Sequence, residues 1–143
     1  MANPLETALR TREHRAARWA PPVRWVSGAI FVLFGIGKFA EHAHEVESFE
    51  SYGLPAAEAF VYAIGGLEIG AGLLLLAGLA TRLAALAMAG NMVGAIALSG
   101  IGEGEVLPSL TLAPALLIAM LFLLWAGPGS RSLDSRLFSS WSR

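Results

Sequence analysis

Cysteine is absent from this chain of 143 residues. That excludes disulfide staples, thiolate metal ligands and any thiol relay built from this chain alone, so redox chemistry would need a bound molecule or a partner. Charge is scarce: 15% of residues are charged against 55% hydrophobic, with a mean hydropathy of +0.60, an apolar excess that a soluble domain does not need. No apolar run contains a histidine, so bis-His haem ligation inside a membrane has no candidates. None of the runs alternates apolar with polar residues, which excludes a membrane β-barrel. Nothing matches a phosphate loop or a Ser-His-Asp constellation, and no nucleic-acid partner is expected.

What is present is four apolar runs, at about 23–40, 56–80, 83–101 and 107–126. Each is close to the ~20 residues that cross ~30 Å of hydrocarbon, and lipid offers no partners to free backbone groups, so the runs must be helices. The expected fold is all-α: an antiparallel four-helix integral membrane bundle at 23–127, preceded by an Arg-rich cytoplasmic segment at 1–22 and followed by a cytoplasmic tail at 128–143. The Arg-rich segment is long for a signal n-region and no clear A-x-A site follows the first run, so that run is expected to be retained. Pro55 is expected in the first turn of the second helix, where its missing N–H costs nothing. Ala80-Thr81-Arg82 reads as a tight hairpin, Pro108 as the opening of the fourth helix, and Pro114 as a kink within it.

Basic residues give the orientation. Arg10, Arg12, Arg15, Arg18 and Arg24 precede the first run, Arg82 lies in the second connection, and Arg131, Arg136 and Arg143 follow the last, whereas the other two connections hold no Lys or Arg. The positive-inside rule places both termini in the cytoplasm, in an inner (plasma) membrane. The outward loops carry Glu41, Glu45, Glu47, Glu50, Glu103 and Glu105. In the tail, Leu133, Leu137 and Trp141 recur at helical spacing, which suits either a short helix on the membrane surface or a frayed end.

Besides Arg24 and Glu58, which stand at the starts of their runs, two charges lie inside the runs, Lys38 and Glu68. A charge near mid-membrane costs ~2.5–3.5 kcal/mol on insertion scales, so it usually pairs or faces a cavity. Helical side chains lean toward the N-terminus of their own helix. Lys38 therefore leans inward and Glu68 outward, and the two converge in one layer as an ion pair. The alternative is Lys38 snorkelling to the headgroups, with Glu68 left to Asn91 or a water. Asn91 reads as interhelical glue or as a ligand contact. If the first helix continues, Lys38, Glu41, His42 and Glu45 fall at i, i+3, i+4 and i+7 and form a polar mouth above Glu68. His42 and His44 lie on different helical faces, and no metal site is expected. Gly66/Gly70, Gly90/Gly94 and Ala85/Ala89 are small-xxx-small pairs suited to close helix contact, and Gly65 and Gly72 open a notch beside Glu68.

In order along the chain stand Arg24-x3-Gly28-x6-Gly35-Ile36-Gly37-Lys38, Tyr52-Gly53-Leu54-Pro55, Gly65-Gly66-Leu67-Glu68-Ile69-Gly70-Ala71-Gly72 and Gly78-Leu79-Ala80-Thr81-Arg82-Leu83-Ala84-Ala85. Over residues 23–126 the chain resembles the DoxX/DoxD-like family of small four-helix membrane proteins. The resemblance implies a link to redox chemistry, since DoxD-like members are subunits of a thiosulfate:quinone oxidoreductase and other relatives are associated with quinone handling or membrane oxidoreductase complexes. The lack of Cys speaks against a thiol-based version, and the chain lacks the further domain expected of a complete thiosulfate-oxidising unit. The expectation is a membrane subunit of a redox system. Lys38 and Glu68 would be the catalytic pair, with Asn91, His42 and Glu41 as ligand contacts, and the ligand a quinone or small anion. The alternative is a structural accessory subunit of a larger membrane complex. A transporter is less favoured, because four spans with one buried pair line little of a pathway unless the chain oligomerises.

Overall fold

A computed structural model of the protein describes residues 4–104 and 106–141, with side chains over 16–104 and 106–137. Glu105 and Arg143, and the side chains of Arg10, Arg12, Arg15 and Trp141, lie outside the described residues. Among those described there is helix and no strand. The elements are α1 (Pro4–Ala40), α2 (His42–Ser51), α3 (Ala57–Ala77), α4 (Thr81–Ala95), a π-helical extension of α4 (Ile96–Gly102), α5 (Leu112–Ala126) and α6 (Leu133–Trp141).

The four long helices form a ring in which α1 packs on α3, α3 on α4, α4 on α5, and α5 back on α1. Three segments are long and apolar enough to cross a membrane: Ala16–Ala40, Ala57–Ala77 and Thr81–Gly102. The fourth apolar run delivers only the 15-residue α5, because residues 106–111 form turns before the helix begins. The core is small and alanine-rich around Phe31, Leu75, Met88, Met120 and Leu123, while Leu33, Leu83, Leu86 and Ile118 are exposed. An apolar exterior over a thin core is what a helical membrane bundle needs, since lipid solvates Leu as well as the interior does.

Glycine decides the closest contact. A Cβ built on Gly28 would lie 2.9 Å from the Gly72 carbonyl oxygen, and one on Gly35 would lie 2.8 Å from that of Gly65. A Cβ on Gly72 would in turn fall 2.8 Å from the Gly28 oxygen. These glycines sit seven residues apart on both helices, so an antiparallel α1–α3 seam closes backbone to backbone. Gly65 and Gly72 therefore fill the role of contact surface for α1 and do not open a notch. Gly66, Gly70, Gly90 and Gly94 meet nothing within 4 Å, so the expectation of close helix contact there is corrected.

Proline positions differ from expectation in four places. α1 runs from Pro4 straight through Pro21 and Pro22, with Pro21 backed against Gly129, so the first helix begins well before residue 23. Pro55 precedes the left-handed Ala56 that caps α3 and is not in its first turn. Pro114 falls in the first turn of α5, after the cap Thr111; an N–H there has no intrahelical partner to lose, so no kink results. Pro108 does not open the helix, but its carbonyl accepts from the N–H groups of Leu112 and Ala113 and so seats the helix start.

Candidate functional site

Lys38, the chain's single lysine, stands in the last turn of α1. Its Nζ lies 3.3 Å from Glu68 Oε2 and 3.8 Å from Glu45 Oε2. The Lys38 and Glu68 side chains are 13% and 5% exposed, so the pair is withdrawn from both water and lipid. Snorkelling of Lys38 does not occur. Asn91 Nδ2 donates a hydrogen bond to Glu68 Oε1 at 3.0 Å, and the amide keeps a second N–H. α1, α3 and α4 thus each contribute one side chain to a polar cluster.

The cluster forms one wall of a cavity of about 490 Å³, within the usual size of a small-molecule site. The remaining walls are chiefly apolar: Phe31 and Phe34 from α1, Phe60 and Ile64 from α3, Leu112 and Leu116 from α5. α2 roofs it with His44, Glu45, Ser48 and Phe49, joined by Tyr52 just beyond its end. Ser99, in the π-helical turn, shares a hydrogen bond with Ser109 beside the cavity, and Ser99 Oγ donates to the Ala95 carbonyl.

Lys38, Glu68 and Asn91 come together as the sequence suggested. Glu41 and His42 do not join them. The helix is interrupted at Glu41, whose φ of −109° and ψ of 36° are not helical, and this break turns α2 away from the line of α1. Glu41 is exposed. His42 stacks on Tyr62 with ring centroids 4.6 Å apart and faces Glu58 at 3.7 Å, away from the cavity. Its place in the lining is taken by His44 and Glu45. The i+7 spacing from Lys38 to Glu45 pointed to that contact; nothing in the spacing pointed to Ser99, Ser109 or the α2 roof.

A second polar cluster lies at the opposite end of the bundle, beside the α3–α4 turn. Gly78 ends α3 in a left-handed conformation, with the Gly78 and Leu79 N–H groups returned to the Leu75 and Leu74 carbonyls, the pairing of a Schellman motif. Asp134 of α6 accepts from the Ala80 and Thr81 N–H groups at 2.7 and 2.9 Å, so the tail caps the start of α4. The fully buried Arg24 donates from Nη2 to the Arg131 carbonyl, and its guanidinium occupies the space that a Gly78 side chain would need. The sequence marked Arg24 for orientation and as the first residue of the family motif but missed its union with the tail; an arginine inside an apolar helix was the signal. Among the described residues no group of His, Asp or Glu could hold a metal ion.

An all-helical bundle with apolar flanks and a Lys–Glu–Asn cluster around the buried Glu68 on a cavity wall is a small multi-span membrane protein. The family model described as DoxX matches residues 21–100, and the chain belongs to the DoxX family. It is 36% identical over 128 residues to "Uncharacterized membrane protein Rv3486" of Mycobacterium tuberculosis, covering 80% of this chain and 78% of that one. It is also 36% identical over 74 residues to "Putative oxidoreductase CatD" of Bacillus subtilis, covering 52% of this chain and 54% of that one. No solved structure matches.

Proposed function

We propose that the protein is a membrane subunit of a redox system that holds a quinone-type molecule in the cavity beneath α2. The observation that carries this reading is that Lys38, Glu68 and Asn91 border a mostly apolar cavity and are not sealed into packed core. Lys38 Nζ and the second Asn91 N–H supply donors for a ring carbonyl, and Glu68 is placed to take or return a proton as that oxygen changes state. With two carboxylates, Glu45 and Glu68, around one ammonium, a neutral carbonyl compound suits the site better than a small anion. The oxidoreductase name of the Bacillus relative agrees with a redox setting. This chain has no cysteine, so electrons come from a bound molecule or from a partner, not from a thiol of its own.

The orientation belongs to the same reading. Arg24, Arg82 and Arg131 gather at the end where α6 docks, so the positive-inside rule puts that end and both termini in the cytoplasm of an inner-membrane protein, and the cavity in the outer half. Protein purified from its native membrane should carry quinone in excess of empty membranes, and Glu68→Gln should reduce the amount retained. Extracts with no enrichment over empty membranes would remove the idea.

One observation favours a second reading, an accessory subunit. The bare Gly66 and Gly70 positions on α3 offer a groove to a helix of a larger complex. Co-purification at fixed stoichiometry with a membrane redox protein, without bound quinone, would support it.

A further inference from the structure

The cavity has two edges of different character. Toward α2 the rim is polar, with His44, Glu45 and Ser48. Between α3 and α4 it is bordered by Phe60 and Leu67 on one helix and by Gly90 and Leu98 on the other, all of them exposed. Exposed side chains at that level of a spanning helix meet acyl chains, not water.

Gly90 and Gly94 have no packing reason to be glycine. A Cβ on either would meet nothing within 4 Å, and glycine inside a helix weakens it relative to alanine. The seam glycines of α1 and α3 are required by backbone contact; these two are not. What they do is keep the α4 edge of the cavity bare, beside Asn91 and on the side facing lipid.

We infer that the occupant carries a long apolar tail: its oxygen-bearing head rests against Glu68 and Asn91, and its tail leaves between α3 and α4 into the bilayer through a gap whose width Gly90 and Gly94 set. This rests on the cavity being a site for a quinone-type head. A membrane-borne molecule then reaches the polar wall sideways, without lifting α2 or crossing water.

The test uses the full chain in phosphatidylcholine nanodiscs with two probes, 2-methyl-1,4-naphthoquinone and the same ring bearing a four-isoprene tail, each scored against empty nanodiscs. Wild type should retain the tailed probe about tenfold better than the tailless one, and Gly90→Leu with Gly94→Leu should abolish that preference while changing tailless binding by less than about twofold. Leu98→Trp narrows the same gap from an exposed position and should act alike, which guards against a misfolded double variant. Equal loss of both probes, loss of neither, or a change of oligomer size in place of probe preference would overturn the inference and leave the cavity reading standing. Wild type that binds neither probe would overturn both.

Discussion

Gly35 of α1 and Gly65 of α3 face each other so closely that a side chain on Gly35 would lie 2.8 Å from the Gly65 carbonyl oxygen and 2.6 Å from Ile69 Cγ1. Together with Gly28 and Gly72 they draw the two helices into the tightest contact of the bundle, and they set the height at which Lys38 meets Glu68. Helix association in lipid depends on such contacts because apolar burial gives little preference for protein over acyl chains.

Gly35→Val and Gly72→Val should each force the seam apart and cost about 1–3 kcal/mol or more, the usual cost of overpacking. Gly70→Ala should instead be neutral or stabilising by up to about 1 kcal/mol, because the position is open and alanine is the better helix former. Unfolding titrations in mixed micelles would separate the two classes. Equal effects would mean that the seam does not carry stability.

The ion pair predicts an asymmetric pattern. Lys38→Met leaves Glu45 and Glu68 without their shared cation and should cost about 3–5 kcal/mol. Glu68→Gln should cost less, because Glu45 still faces the ammonium at 3.8 Å. The double change should fall short of the sum by about 0.5–3 kcal/mol. Strict additivity in the same titrations would show that the two residues are not coupled.

Asn91→Leu removes the hydrogen bond to Glu68 and should cost about 0.6 kcal/mol, the average for interhelical hydrogen bonds in membranes, and no more than about 1.7 kcal/mol. Asn91→Asp brings a carboxylate to within contact of Glu68 and should be worse than Asn91→Leu at neutral pH. The order of the two melting temperatures checks this, and a better tolerated aspartate would contradict the geometry.

Asp134→Ala should strand the Ala80 and Thr81 N–H groups at the start of α4 and cost about 1–2 kcal/mol, as loss of an N-cap does. Hydrogen exchange at those two amides should quicken, and protease should cut sooner near residues 128–132. Unchanged exchange would show that the tail is not what caps α4.

Composition and run length alone made the membrane bundle legible, since ~20 apolar residues without backbone partners in lipid leave only helix. The meeting of Lys38, Glu68 and Asn91 was legible for a related reason: buried polar groups in a small bundle have few partners to choose from. Placement of Glu41 and His42 was not, because one non-helical residue at Glu41 redirects the helix beyond it, and no local pattern announces that break.

The chain by itself determined its medium, its helices and the residues that must find polar company, because these depend only on hydrophobicity and the helical rise of ~1.5 Å per residue. Only the tertiary structure decided which glycines bear contacts and which stay bare, that Asp134 reaches back across the turn at 78–80, and that the polar cluster borders a cavity. Each of those depends on which helix faces stand opposite one another, a relation between segments far apart in sequence that no single segment encodes.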